Sequence, residues 1–405
     1  MRIAFVSYEF PPETGGGGIG TYLAQIVGIL ARAGHDVQVF AGSPDSSSQS
    51  VLPDGGRLHR IATNRAEDFR AAVLGPFLAE QYRQPFDVME GTDFDASAIE
   101  IKRTRPEIPY VVKLHTPRFA IDELHARPPS GWSRMRMTLG SLRRGRWPRT
   151  VPIREQAPAQ TELESIRLAD EIAAPSQAIA DAALRWTSLR PERISIFPYP
   201  FEPGPEILSI PAGGSTHRIT FLGRLETRKG VLDLSAAIPL ILRQRPDARF
   251  RFIGRTMNSP LRGVDMQTYL EKQLAPHAGA VEFLGPLPSN DIPGALAETD
   301  ILVAPSHWES FGVVCCEGMA AARAVIGSNQ GGMVEILDNG RCGVLVPPHC
   351  PEAIVSAVLG LLEDPSRRRA MGVAARQWVL SQFSAETVLK AQLSSYQRAI
   401  LRAAR

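Results

Sequence analysis

Short apolar runs alternate along the chain with longer segments in which apolar residues recur at helical spacing. RIAFVSY (residues 2–8) is typical of a buried strand, and a glycine-rich stretch follows it. TYLAQIVGILARAG (residues 21–34) has the helical period and ends on a glycine, a common helix stop. HDVQVFA is the next predicted strand, and FDVMEG and PYVVKLH are strand-like runs that end in polar residues. This alternation predicts a parallel, doubly wound α/β sheet.

A second series of strands and helices begins after PYPFEPGPEILSIPAGG (residues 198–214). This stretch is dense in proline and glycine, which is typical of a linker between domains. Strands are predicted after it at RITFLGRL, RFRFIGR, VEFLG, DILVAPS, AVIGS and GVLVP, and helical segments close the chain. Two α/β halves of similar size make the cleft between them the expected binding site.

Composition narrows the function classes. A chain of 405 residues is long enough for two cores, and its net charge of +3 gives no indication of nucleic-acid binding. The four cysteines form no CxxC pair and no matching histidine cluster exists, which argues against a zinc site and a disulfide framework. This cysteine usage, with no signal peptide and no apolar run of about 18 residues, predicts a cytoplasmic location.

GGGGIG (residues 15–20) lies between the first predicted strand and the first predicted helix. Glycines at this position let the backbone approach a ligand, and the helix start offers free amides and a partial positive charge. The spacing is not that of a dinucleotide fingerprint, and a flexible loop would show the same four glycines. Its place at a strand end favours contact with a ligand.

FLGRLETRKG (residues 221–230) places two cations, Arg224 and Lys229, between a strand end and a helix start. Such a pair is suited to binding an anion. Only five of the 45 basic residues are lysines, so Lys229 is less easily explained as background. The alternative is a solvated basic loop.

ESFGVVCCE (residues 309–317) sets two glutamates around an apolar run. If a helix begins near Gly312, Ser310 is expected to cap it, with the amides of Phe311 and Gly312 at the helix start. Glu309 would then lie in the loop at the cleft edge. Glu317 would lie inside a buried helix, where a carboxylate needs a partner or a ligand because burying it unpaired is costly.

QGGMVEIL (residues 330–337) follows the next predicted strand. Gly331, Gly332 and Met333 are expected to line the same cleft. Glu335 has the position of a helix-start acid.

Taken together, these motifs resemble glycosyltransferase family 4, a retaining family with the GT-B fold, and the resemblance covers nearly the whole chain. It rests on EFPPETGGGGIGTYLAQI, GRLETRKG, the E-x7-E pattern of ESFGVVCCE, and GGMVEIL followed by GVLVPP. The resemblance implies two Rossmann-like domains facing across a cleft. Residues 1–200 would form the acceptor side, residues 201–380 the donor side, and residues 381–405 a helix that packs back on the first domain.

The resemblance also implies roles for individual residues. Arg224 and Lys229 would neutralise the donor diphosphate, and Glu317 would accept from the ribose hydroxyls. Glu309 and His115 would line the pocket of the donor sugar. The backbone at Ser310, Phe311 and Gly312 would bind sugar or phosphate. The loop at Gly16, Gly17 and Gly18 would close over the phosphates and the reacting centre.

Some features favour other interpretations. Asp93-x-Asp95 is an acidic pair of the kind that holds a metal in GT-A enzymes, but it lies away from the basic motif. Glu90, just before it, is a weak candidate for the acceptor side. The arginine-rich segment 127–149, with two tryptophans, is either a solvated face or a contact for an anionic or lipid-linked acceptor or a membrane surface.

The sequence thus predicts a retaining transferase that moves a hexose from a nucleotide diphosphate sugar to a sugar, lipid-linked or small-molecule acceptor. The mechanism implied by the resemblance uses no metal and no further cofactor. Two alternatives stay open: a non-catalytic sugar-nucleotide-binding or scaffold protein, and a sugar-nucleotide epimerase of the same fold.

Overall fold

The computed structural model describes residues 1–15, 17–125, 152–214 and 216–405. The arginine-rich segment 127–149 lies outside these residues. Within them, every helix is too short or too polar to cross a lipid bilayer. All four cysteines are free thiols.

The first unit is built on an eight-stranded sheet with the order β3-β4-β2-β1-β5-β6-β7-β8, parallel except for the β3–β4 pair. Its strands are β1 (Arg2–Ser7), β2 (Asp36–Ser43), β3 (Ser48–Val51), β4 (Arg57–Ala62), β5 (Val88–Thr92), β6 (Tyr110–Lys113), β7 (Glu171–Ala174) and β8 (Ile194–Ile196). Its helices are α1 (Gly18–Arg32), α2 (Ala66–Ala72), α3 (Leu74–Arg83), α4 (Ile99–Thr104), α5 (Arg118–His125), α6 (Ala157–Leu168) and α7 (Gln177–Thr187).

The second unit is built on a six-stranded parallel sheet with the order β11-β10-β9-β12-β13-β14. Its strands are β9 (Arg218–Leu222), β10 (Arg249–Ile253), β11 (Val281–Gly285), β12 (Ile301–Ala304), β13 (Ala324–Ser328) and β14 (Val344–Val346). The remaining helices are α8 (Pro205–Leu208), α9 (Val231–Gln244), α10 (Met266–Gln273), α11 (Ile292–Ala297), α12 (Val313–Ala320), α13 (Met333–Ile336), α14 (Pro351–Glu363), α15 (Pro365–Gln382) and α16 (Ala385–Ala403).

Strand β1 shows why the sequence pattern specified a doubly wound sheet. Every residue of the strand is buried. Ile3 and Phe5 pack into one apolar layer, and Ala4 and Val6 pack into the layer on the opposite face. A parallel strand covered on both faces has a continuous apolar run rather than strict alternation.

Each sheet has a point where the strand order changes direction. β1 lies between β2 and β5, and β9 lies between β10 and β12. Loops at such points open a crevice at the carboxyl ends of the strands. The glycine loop after β1 and the basic motif after β9 both occupy this position.

Segment 198–214 connects the two units, and its C-terminal part is fixed to the second unit. Three arginines of that unit donate to its backbone carbonyls; the pairs are Arg376 with Ile210, Arg323 with Pro211 and Gly213, and Arg368 with Gly214. Near the start of the segment, the Phe201 amide donates to the carbonyl of Phe383, the residue directly after α15, at 2.8 Å.

The final helix α16 packs on β6 and β7 of the first sheet. Its Gln392 and Tyr396 donate to the carboxylate of Glu90 in β5, and Tyr22 of α1 donates to the same carboxylate at 2.7 Å. Glu90 is 2% exposed. This carboxylate therefore joins the final helix to the first core, and the protein itself supplies its hydrogen-bond donors.

Candidate active site

The glycine loop ends where α1 begins. Gly17 precedes the helix and Gly18 is its first residue, so the free amides of a helix N-terminus lie here. A side-chain carbon added at either residue would meet no described atom within 4 Å. Gly20 differs, because an added carbon would lie 2.2 Å from the Gly15 carbonyl oxygen. Gly16, the third predicted ligand contact, lies outside the described residues.

The basic motif follows β9 as predicted. Lys229 ends a 3₁₀ turn, and Gly230, with φ 72°, leads into α9. An added carbon at Gly230 would lie 2.0 Å from the Pro305 carbonyl oxygen, so only glycine lets this turn pack beneath the loop after β12. Arg224 is half-exposed, and its Nη2 is 3.3 Å from Glu226 Oε1.

Glu309 is buried beside the basic motif. Its Oε1 accepts from the Lys229 ammonium, from Arg228 Nη1 at 3.3 Å and from Ser306 Oγ at 3.1 Å. Burial alone would raise the pKa of Glu309, but Lys229 and Arg228 lower it to about 2. The carboxylate is therefore ionised at neutral pH and is held at one position by two cations.

Ser310 does not cap α12, contrary to the expectation from sequence. Gly312, with φ 117°, is the residue that precedes the helix, and it has no side chain with which to cap it. Ser310 instead donates its hydroxyl to the His115 carbonyl of the first unit at 2.5 Å, and its own carbonyl accepts from Ser176 Oγ at 2.6 Å. It therefore joins the two units beside the cleft.

Phe311 contributes an aromatic contact at the same place. Its ring is buried and lies 4.8 Å from the Tyr199 ring and 5.5 Å from the Phe383 ring, measured between centroids. The side chain belongs to the apolar interface between the units. Its backbone, with that of Gly312, leads into the N-terminus of α12.

Glu317 lies on α12 between the buried residues Cys316 and Gly318. Its side chain keeps some contact with solvent, and its carboxylate has neither a hydrogen bond nor an ion pair within the described residues. Burial raises the pKa of Glu317 to about 7. We expected a partner or a ligand for this carboxylate, and since no described protein group pairs with it, both oxygens are available to a ligand.

His115 lies across the cleft at the end of β6 and is 8% exposed. Its Nδ1 is 2.7 Å from the Tyr199 hydroxyl, and its buried Nε2 has no partner among the described residues. Burial, and then the nearby Lys113, lower the pKa of His115 well below 6.5, so the imidazole is neutral at pH 7. A neutral ring with a free nitrogen can form one hydrogen bond to a ligand.

The acidic pair Asp93-x-Asp95 is engaged by the protein itself. Asp93 accepts from the backbone amides of Phe94, His115 and Thr116 at 2.8–3.1 Å. Asp95 pairs with Arg118 at 3.4 Å. Asp93 is therefore a positioning residue that fixes the backbone of His115, and the pair does not present two free carboxylates.

The glycine pair after β13 supports the loop that carries Glu309. An added carbon at Gly331 would lie 2.1 Å from the Glu309 carbonyl oxygen, and one at Gly332 would lie 2.3 Å from that of Ser310. Met333 is fully buried. We expected these three residues to line the cleft; Gly331 and Gly332 pack against the backbone of the loop that carries Glu309 and Ser310.

Glu335 has a role that its position in the sequence did not indicate. It accepts from the amides of Gln177 and Ala178 at 2.9 and 3.3 Å, at the N-terminus of α7 in the other unit. It is thus a helix-start acid for a helix in the opposite domain. Sequence reasoning also missed Arg228, although it is the cation directly before Lys229 and binds the same carboxylate.

Two family models match the chain. A model described as Glycosyl transferase 4-like domain matches residues 17–200, and one described as Glycosyl transferases group 1 matches residues 210–378. The two matches correspond to the two units and meet at the linker.

Relatives and solved structures match over the full length. A glycogen synthase from Mycobacterium tuberculosis is 28% identical over 98% of this chain and 94% of its own. The sucrose-phosphate synthase of Thermosynechococcus elongatus superposes with a TM-score of 0.74 at 19% identity, covering 97% of this chain and 98% of that one. HepE of Anabaena in complex with UDP-glucose superposes with a TM-score of 0.67 at 17% identity, covering 97% and 99%. These likenesses show the two-domain fold.

Proposed function

Because the chain belongs to the GT-B glycosyltransferases of the family 4 type, we propose that it transfers a hexose from a nucleotide diphosphate sugar with retention of configuration. The acceptor would be a sugar, a lipid-linked sugar or a small molecule. Donor binding would occupy the cleft between the loops after β1, β9 and β12.

One observation carries this proposal: the Lys229, Arg228 and Glu309 cluster lies in the donor loops, and Ser310, next to Glu309, is hydrogen-bonded to His115. Cations, an ionised carboxylate and a neutral imidazole are thereby held together at the junction of the two units. The likeness of the fold to HepE, which was solved with UDP-glucose, supports a nucleotide sugar as the donor.

The proposed chemistry follows from these charges. The acceptor oxygen attacks C1 of the hexose while the bond from C1 to the diphosphate oxygen breaks, and the hydroxyl proton passes to the departing phosphate on the same face. Arg224 and Lys229 would stabilise the negative charge that develops on the diphosphate, without a metal ion. Glu309 would orient the hexose, and the free His115 Nε2 would bind one of its hydroxyls.

Glu317 would hold the ribose. Its two oxygens carry no protein hydrogen bonds in the described part of the chain, and ribose hydroxyls are donors that can satisfy them. The pocket would therefore bind the nucleotide by this carboxylate and the diphosphate by Arg224 and Lys229.

The test begins with a thermal-shift panel of nucleotide sugars, because a ligand that binds the native state raises the unfolding temperature. Lys229→Ala should then reduce transfer from the identified donor by at least about 10²–10³-fold, the usual effect of losing one donor group to a developing anion. Lys272→Ala, at an exposed position on α10, is the matched control and should leave transfer unchanged.

Two outcomes would count against the proposal. Normal turnover by Lys229→Ala would show that Lys229 does not stabilise the diphosphate. Binding of a nucleotide sugar with no transfer to any of a broad set of acceptors would favour a non-catalytic binding protein.

A further inference from the structure

Two imidazoles and a carboxylate meet outside the donor pocket. We propose that Asp233, His307 and His349 bind a divalent transition-metal ion of the Zn²⁺ type. This inference does not depend on the transferase activity, and none of the three residues belongs to the proposed donor site.

The three residues come from separate parts of the second unit. Asp233 lies in the first turn of α9, His307 lies in the loop after β12, and His349 lies between β14 and α14. One ligand atom from each lies within 4.8 Å of the other two. Zn²⁺ bonds nitrogen at about 2.0–2.1 Å, which sets tetrahedral ligands about 3.3 Å apart, so shifts of about 1.5 Å or less complete the arrangement.

The side chains are already oriented toward one another. His307 Nε2 is 2.9 Å from Asp233 Oδ2, and the His349 backbone amide donates to the same oxygen at 3.2 Å. The two imidazole rings approach to 3.8 Å between centroids. His349 has a φ of 56°, a left-handed conformation that is uncommon outside glycine.

The donor set selects the kind of ion. Two neutral imidazoles and one carboxylate suit Zn²⁺ and related transition metals, whereas Mg²⁺ and Ca²⁺ prefer oxygen ligands throughout. His349 is exposed, so a fourth position remains open to water or another small ligand. A histidine and an aspartate can form a hydrogen-bonded pair without a second imidazole, as His217 and Asp247 do at 2.6 Å. The second imidazole, that of His349, is therefore what distinguishes this cluster from an ordinary pair.

A metal ion here would fasten two loops to the start of α9 beside the proposed donor pocket. The His307 amide donates to the Arg228 carbonyl at 2.7 Å, and the Arg228 guanidinium donates to Glu309. Metal binding would therefore stiffen the loop that carries both His307 and Glu309. The expected effect is a gain in stability by mass action.

The experiment uses the full chain after treatment with a chelator. Isothermal titration with Zn²⁺ alone should show one saturable site that His349→Ala removes, and Zn²⁺ should raise the unfolding temperature of the wild type but not that of His349→Ala. Substituted Co²⁺ should give the visible absorption of a tetrahedral complex. His349 is exposed, so this variant should fold. Changes to groups that only support a ligand already cost 10–100-fold in affinity, so losing a ligand should cost at least about 100-fold.

Two control variants define the site. His217→Ala removes a histidine that is also paired with an aspartate, and Cys350→Ser removes the thiol next to His349. Both should bind Zn²⁺ as the wild type does. Asp233→Asn should weaken binding in the same direction as His349→Ala. Absence of stoichiometric binding by the wild type, or unchanged binding by both His349→Ala and Asp233→Asn, would overturn the proposal.

Discussion

Glu317 is expected to have opposite effects on stability and on binding. Burial raises the pKa of its carboxyl from 4.5 to about 7 in the folded protein. The contribution of this group to stability is therefore fully present below pH 4.5 and is lost as the pH rises through about 7, because the folded state binds the extra proton. At pH 8 the protein holds an unpaired, partly buried charge.

Glu317→Gln should accordingly increase the free energy of unfolding at pH 8 by about 1–3 kcal/mol, allowing for the solvent that still reaches the side chain. The gain should shrink toward zero at pH 5. The same variant should bind nucleotide more weakly by calorimetry, since a carboxylate accepts both ribose hydroxyls. Denaturant titrations at the two pH values measure the first effect.

The exposed Glu386→Gln on α16 is the matched control for both measurements. Equal stability changes at pH 5 and pH 8 would show that the pKa of Glu317 is not raised in the folded protein, and therefore that its carboxylate is paired. Unchanged nucleotide affinity of Glu317→Gln would show that Glu317 does not contact the nucleotide.

The roles of single residues could be predicted where the chemical type of the residue and its spacing within a motif indicated the same role. Glu309 and Lys229 follow the adjacent parallel strands β12 and β9, whose carboxyl ends bring the two side chains together. Ser310 was misassigned because α12 begins two residues later than a serine cap at residue 310 requires, and its hydroxyl donates to a carbonyl in the other domain. The His307 and His349 pair was missed because two separate loops and the start of α9 must come together before the side chains meet.

At the level of the elements, the glycine loop and the start of α1 contain glycines in two different environments, one crowded (Gly20) and one open (Gly18). Gly20→Ala should cost about 1–3 kcal/mol of stability, because its new methyl group would overlap the Gly15 carbonyl. Gly18→Ala should leave stability unchanged or slightly higher, since alanine is the better helix former and the space beside Gly18 is open.

If the loop binds the donor phosphates, Gly18→Ala should nevertheless weaken donor binding, because its methyl group projects into that space. Thermal unfolding and donor titration of both variants separate the two effects. Donor affinity of Gly18→Ala equal to that of the wild type would indicate that the loop is only a flexible connection.

Strands with continuous apolar runs were readable from the sequence, and the short or exposed edge strands of the first sheet, β3 and β8, were not. β1, β9 and β12 match their predicted runs to within a few residues. β3 is exposed along its whole length, so SQSV carries no hydrophobic pattern. β8 has three residues, too few to show a period. Burial on both faces produces a continuous apolar run, which neither of these two strands has.

At the scale of the whole molecule, the contacts between the domains are the part that sequence reasoning could not supply. Segment 198–214 was predicted to be the linker between the domains. Arginines of the second unit fix the carbonyls of its last residues, so we expect any bending between the units near Phe201 and the adjoining Phe383. If the units close over a donor, contacts such as that of Glu335 with α7 would hold the closed arrangement.

Glu335 should stabilise the closed arrangement. Its carboxylate binds two free amides at the N-terminus of α7, where the helix dipole also favours negative charge. The contact is exposed, so it should contribute only about 0.3–1 kcal/mol. Glu335→Gln should therefore raise the KM for the donor by about two- to fivefold and leave the unfolding temperature of each domain unchanged.

Ionic strength sharpens this test, because salt screens exposed charges over about 10 Å at 0.1 M. The difference in KM between wild type and Glu335→Gln should narrow as salt is raised, and small-angle scattering should report a larger radius of gyration for the variant at low salt. Glu352→Gln, a first-turn acid on α14 within the second unit, should change neither quantity. A salt-independent difference, or an equal effect of Glu352→Gln, would show that Glu335 acts within its own domain and that closure is governed by the buried Ser310 and Ser176 contacts.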